Sequence, residues 1–156
     1  MSRTVYEGNN KVVFCPSVAD KDAPTVAELG AATVWTPFIS KDGITVPSTQ
    51  NMVDSATIED VFDAQQVGSW GGGPLTLSMF RDDTDETDCY DMIEYGLEGF
   101  IVISRFGAPI AGSKVEVWPV EAHEPTLMQS AANTMQKFNA SFAVTSAPSM
   151  RAVVAA

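Results

Sequence analysis

The side chains best suited to chemistry are few, and their spacing does not combine them. The single histidine, His123, lies between Glu121 and Glu124, after Pro119 and before Pro125. That is the setting of a solvated loop residue, with no cysteine near it in sequence to form a nucleophile–base pair. Cys15 and Cys89 are far apart and lack metal-type spacing, which predicts reduced core thiols and no disulfide. The run Asp82-Asp83-Thr84-Asp85-Glu86-Thr87-Asp88 opens like a calcium loop at Asp83-x-Asp85. It lacks the glycine that such a loop needs for its sharp turn, and Glu94, the nearest closing carboxylate, falls in a helical pattern. A solvated helix N-terminus accounts for it better. Gly71-Gly72-Gly73-Pro74 lacks the Lys-Ser/Thr of a phosphate-binding loop, and no G-x-S-x-G elbow occurs. Trp35, Trp70 and Trp118 could stack on a sugar, although aromatic residues in short strands more often build a core. No catalytic residue, metal site or cofactor is assigned, and an enzyme is not expected.

Charge narrows the choice further. The 156 residues carry nine Lys and Arg against twenty Asp and Glu, a net charge of −11. Residues 54–98 hold twelve of the acids and only one base, Arg81, while the remainder is balanced. Phosphate affinity comes from Lys and Arg, so an ordinary nucleic-acid-binding module is disfavoured. The longest aliphatic or aromatic run, Phe100-Ile101-Val102-Ile103, is far short of the roughly 20 apolar residues of a membrane span, so no membrane insertion is expected. Residues 1–7 have no apolar h-region, and no secretory signal is expected.

Most segments read as strands. Lys11–Cys15 is β-branched, and residues 32–36 run into Pro37 and suit an edge. Leu75, Leu77 and Met79 alternate with Thr76 and Ser78; Phe138, Ala140, Phe142 and Val144 share one side of 137–144; 100–104 reads as buried on both faces, and 114–120 follows it. Residues 41–54 lack sustained alternation and read as a long connection after a Lys41-Asp42-Gly43 turn. Ser55, Thr57, Glu59 and Asp63 form the wet face of an expected strand, and Gly68–Pro74 reads as a break in regular structure. The principal helix is expected over 85–97, with Cys89, Met92, Ile93, Gly96 and Leu97 on one stripe and Gly96 and Gly99 as stops. A very short helical turn is expected near Pro24, where Thr25 and Glu28 have capping-box spacing. The sum is about seven strands and one principal helix in a single domain over 1–156: mainly β, an antiparallel β-sandwich or barrel.

In this order the features resemble a family. Pro24-Thr25-Val26-Ala27-Glu28-Leu29-Gly30-Ala31, Leu75-Thr76-Leu77-Ser78-Met79-Phe80-Arg81-Asp82, Gly96-Leu97-Glu98-Gly99-Phe100-Ile101-Val102 and Val115-Glu116-Val117-Trp118-Pro119-Val120 are similar to the major tail tube proteins of long-tailed, non-contractile bacteriophages, over almost the whole chain. The resemblance implies a structural virion subunit, assembled in the host cytoplasm, that closes into hexameric rings. Those rings stack into a tube, each subunit adding four strands to one ring-shaped β-barrel, and the genome leaves the capsid through it. It implies contacts with tape measure, terminator and distal tail proteins, and DNA that passes without specific binding. On that reading the loop about 41–54, with Asp42, Gly43, Ile44, Val46, Pro47 and Met52, contacts the next ring. Ser55, Thr57, Glu59 and Asp63 line the lumen, and the tail about 146–156 docks on a neighbour. A tail terminator, a capsid decoration protein or a glycan-binding β-sandwich are the alternatives.

Overall fold

In the computed structural model, residues 3, 5, 7–46, 48–82, 89–129 and 131–156 are described. Among them eleven strands dominate: β1 Lys11–Cys15, β2 Thr33–Val34, β3 Ile39–Thr45, β4 Ser48–Asp54, β5 Gln65–Gly72, β6 Leu75–Phe80, β7 Glu98–Ser104, β8 Lys114–Ala122, β9 Thr126–Leu127, β10 Lys137–Val144 and β11 Ser149–Val153. Two short helices, α1 Val26–Gly30 and α2 Cys89–Met92, accompany them. The large sheet is antiparallel and follows the order β2-β1-β7-β8-β10-β6-β3, with β11 added to β8 and β9 to β10; β2 and β3 stand at its ends and do not close it into a barrel. Strands β4 and β5 form a separate two-stranded sheet.

Strand β8 joins the two halves of the large sheet. Its first residues pair with β11, as in Ala152 opposite Val115, and its last pair with β10, as in Phe142 opposite Ala122. Pro119 stands between the two pairings. It has no N–H to donate, so the change of partner falls where the ladder is already interrupted, and its carbonyl accepts from Thr145 N–H at 3.0 Å.

Alternation sorts the core into two clusters. Val12, Phe14, Ile101, Ile103, Trp118 and Val120 face Leu75, Leu77, Met79, Phe138 and Phe142 inside the fold. The opposite face of β1, β7 and β8 carries Val13, Cys15, Val102, Val115 and Val117, covered by Leu29 of α1 and by Ala152 and Val154. Residues 100–104 are therefore dry on both faces or nearly so, as their continuous apolar run predicts. The C-terminal residues do not wait for a neighbour: they seal this second cluster on their own chain. Ala155 N–H donates to Pro24 O at 2.8 Å, Val26 N–H to Ala155 O at 3.0 Å and Val153 N–H to Asp22 O at 3.1 Å. The expectation of a tail docked on another subunit assumed little for it to bury against in one copy; here β8 offers a landing edge on the same chain.

The turn near Pro24 forms as its sequence predicts. Glu28 N–H donates to Thr25 Oγ1 at 3.2 Å and Thr25 N–H to Glu28 Oε2 at 2.8 Å, a complete capping box. Ala19 N–H adds a bond to Glu28 Oε1 at 2.9 Å. The Thr25 backbone bond, then those from Ala19 N–H and the Thr25 hydroxyl, hold the Glu28 carboxyl below its ordinary 4.5. A carboxyl depressed in the folded state stabilises above its unfolded pKa and loses that contribution as pH falls through the folded one. Glu28→Gln is therefore expected to flatten the fall of Tm below about pH 4.5, and Thr25→Ala to cost about 0.5–2 kcal/mol in a urea melt.

Within the expected helix 85–97, residues 83–88 lie outside the described residues, and the described part is helical only over Cys89–Met92. Ile93 N–H donates to Cys89 O at 3.1 Å, closing one turn that buries both residues. The helix ends at Met92, four residues before Gly96; Gly96, expected as a stop, instead lies in a later turn at φ 83°, where its N–H donates to Ala122 O at 2.9 Å and ties the chain to β8. Gly99, expected as a further stop, is instead a buried residue of β7. A Cβ there would collide with the Phe14 ring and lie 2.9 Å from Cys15 O, so the missing side chain is the space Phe14 needs.

Candidate functional site

Within the expected long connection 41–54, residues 41–45 form the end of β3 and residues 48–54 the whole of β4. Gly43 is buried in β3, where a Cβ would lie 2.5 Å from Ser78 O, and Ile44 and Val46 pack against the core. Asp42 and Met52 are exposed, Met52 on β4; Pro47 lies outside the described residues. The stretch Gly68–Pro74, expected to break regular structure, continues as strand β5 through Gly72. The register slips between Gln50 and Met52, and a Cβ on Gly68 would stand 2.9 Å from both Asn51 O and Val53 Cγ2, so Gly68 allows the two strands to pass the irregularity.

Strands β4 and β5 form an arm whose described apolar side chains are largely exposed. Met52, Val53, Val67 and Trp70 are at least half exposed along it. Residues 55–64, expected as a strand with a wet face, are instead the turn at its end. Ser55 N–H donates to Ala64 O at 3.0 Å, Ala56 N–H to Asp54 Oδ1 at 2.9 Å, and Asp60 Oδ2 accepts from Thr57 N–H at 2.7 Å and Thr57 Oγ1 at 2.9 Å. The Thr57 backbone and hydroxyl bonds hold the Asp60 carboxyl below its ordinary range. These side-chain-to-backbone bonds outcompete a strand ladder, so Ser55, Thr57, Glu59 and Asp63 share a tip and not a strand face. At that tip Ile58 and Val61 are fully exposed and Phe62 is 80% exposed. An isolated hairpin is marginal in water, and one that displays its largest apolar side chains is built to be covered.

A different surface has the period expected of a wall between protein and water. Opposite Leu75, Leu77 and Met79, strand β6 presents Thr76 and Ser78; opposite Phe138, Ala140 and Phe142, strand β10 presents Asn139 and Ser141, all half-buried. Asn139 pairs with Ser78 and Ser141 with Thr76, so the four residues form one patch of small neutral polar side chains. Sequence reading found this alternation and assigned it only to the core; the paired register of the two strands is what makes it a surface.

Residues weighed for chemistry are dispersed. Trp35 and Trp118 are each 1% exposed, so the three tryptophans offer no shared stacking platform for a glycan. Trp35 stacks on Phe14 at 4.9 Å between centroids, and Phe142 follows at 5.9 Å. Exposed His123 lies edge-on to Tyr95 at 5.8 Å. Cys15 and Cys89 are buried and form no disulfide, and burial, with Glu28 adding to it, pushes the Cys15 thiol up to about 11. Among the described residues there is no cluster of three potential metal ligands, and no helix is long and apolar enough to cross a membrane.

A search of curated protein sequences returns no match. Among solved structures, a chain of the anti-feeding prophage (AFP) baseplate, determined by cryo-electron microscopy with six-fold symmetrisation, superposes with a TM-score of 0.62. That match covers 96% of each chain at 12% identity, a likeness of fold. A family model described as "Phage tail tube protein" matches residues 1–156. With an open antiparallel sheet, a polar sheet face and an uncovered arm, the chain belongs, over its whole length, to the phage tail tube protein family, a family of structural proteins.

Proposed function

We propose that copies of this chain join edge to edge into rings, hexameric by family resemblance, that stack into the tube through which a viral genome passes. The observation that carries the reading is the family match over residues 1–156. The open sheet supports it: the end strand β3 pairs with β6 on one side only, and a free edge of this kind is a template for another chain. Strands β3, β6 and β10, with the second half of β8, whose other side pairs with β7, are the four that each subunit would add to a common barrel. A barrel of more than about twenty strands encloses a channel and not a packed core.

The proposed lumen lining is the patch Thr76, Ser78, Asn139 and Ser141, which replaces the tip residues Ser55, Thr57, Glu59 and Asp63. The four side chains of the patch are uncharged and offer passing phosphates no ion pair themselves; Lys137, the next residue along the same face of β10, sits over the Phe80 ring. The arm would reach neighbouring subunits, and the tube ends would meet tape measure, terminator and distal tail proteins. Six-fold symmetrisation of the similar baseplate chain agrees with a hexamer.

Electron microscopy of the concentrated protein tests the reading. Long uniform tubes with Asn139 and Ser141 at the inner wall are expected. Single rings that never stack would point to a terminator, and a monomer that persists with a tail initiator complex present would overturn tube formation.

A further inference from the structure

The assembly reading leaves open which surface receives the arm. The tip presents Ile58, Val61 and Phe62 to solvent. Residues 48–72 carry Asp54, Glu59, Asp60 and Asp63 with no Lys or Arg, so an apolar point is set in an acidic collar. A matching surface exists elsewhere on the chain: a groove of about 300 Å³ between α1, the β1–β2 edge and the loop after β7, lined by Val13, Val26, Leu29, Val34 and Pro109, with Lys11 among its lining residues. An apolar cavity of about 150 Å³ accepts a benzene ring, so the groove has room for a phenyl ring and a branched aliphatic side chain beside it. Val34 is 53% exposed, and β2, only two residues long, leaves most of that edge open.

We infer that this groove is the socket for the arm tip of a second copy of the chain, with Phe62 and Val61 as apolar anchors and Lys11 facing the acidic collar. The inference rests on the assembly reading and names the receiving surface within it. Shape, polarity and charge agree: apolar side chains fill an apolar trough, and carboxylates surround the point that meets a lysine. Tip and socket are different surfaces of one molecule, so the contact is head to tail. Each copy then offers a socket as it fills another, which propagates into a ring or a filament without further components.

Cysteine pairing tests this on the full chain. Two variants, Val61→Cys and Val34→Cys, are prepared separately, mixed under assembly conditions and oxidised; Phe62 stays in place, and the native thiols are buried. A cross-linked dimer is expected in the mixture, at more than about tenfold the yield obtained when Val61→Cys is mixed with a Met135→Cys control, because docking raises the effective concentration of the paired thiols. Tubes that form without the Val61–Val34 cross-link would overturn the socket, whether the groove is empty or filled by another tail protein, and leave the assembly reading standing. The cross-link without tubes would support the socket and count against tube formation. Neither tubes nor cross-link would remove both.

Discussion

Excising the arm, by deleting residues 47–74 and joining Val46 to Leu75 through Asn-Gly, is expected to give a folded monomer that no longer assembles. Thr45 already lies opposite Thr76 in the β3–β6 ladder, so Val46 and Leu75 are the next pair and a two-residue type I′ turn closes the hairpin with the twist it prefers. Little of the core is lost, because β4 and β5 are exposed along nearly their whole length. The stability change should stay within about 0.5 kcal/mol, as for surface changes that touch no packed group. Assembly, followed by sedimentation and microscopy, should fall to background. Wild-type tubes from the excised chain would show that the sheet edges alone carry polymerisation; an unfolded product would show that the arm supports the core.

Phe142→Ala should be the most damaging single truncation of the inner cluster. Phe142 is fully buried, stands opposite Leu75 on one side and Ala122 on the other, and closes the stack that runs from Phe14 through Trp35. It is thus the point where β6, β8 and β10 meet the indole. Removing a buried phenyl ring costs about 3–5 kcal/mol, transfer and cavity together, which for a chain of this size lowers Tm by roughly 6–20 °C. Among the described residues Trp35 Nε1–H has no hydrogen-bond partner, and water admitted by the ring's absence would offset only part of the loss. In urea the midpoint should drop with the slope unchanged, and Phe142→Leu should recover most of the loss. A Phe142→Ala midpoint within error of wild type would mean that the stack is not part of the cooperative core.

What was readable in the sequence follows from what each strand buries. Leu75–Met79 and Phe138–Val144 have one dry and one wet face, so their period shows directly, and Phe100–Ile103, dry on both faces, shows as an unbroken run. The arm buries neither face in a single copy. Met52 and Val53 are adjacent apolar residues just past a register slip after Gln50, and Gly68, Gly71 and Gly72 sit inside its second strand, so neither alternation nor composition marked it. The apparent alternation of Ser55, Thr57, Glu59 and Asp63 was a coincidence of turn residues. The usable signals were Asp54 two residues before Ala56 and Thr57 three before Asp60, spacings at which short polar side chains bond the backbone. Gly99 was misread for a related reason: sequence shows that a side chain is missing, and only the Phe14 ring shows what fills the space. The landing of residues 149–155 on β8 and the turn before α1 depends on partners remote in the chain, which no local pattern records.

That last contact also sets a schedule for the molecule. Thr25 and Ala155 meet in an isolated bridge, and β1 pairs with β7, so the first strand and helix are finished by segments that the ribosome delivers late. Such non-local topology folds slowly, since chain closure precedes its reward. Until residues 149–155 have emerged, Leu29, Val115 and Val117 lack the cover of Ala152 and Val154, and the nascent chain carries an apolar surface prone to mispairing. The seam at Ala155 therefore closes only once residues 149–155 are in place, and a chain without them lacks the packed scaffold on which its arm and sheet edges are mounted.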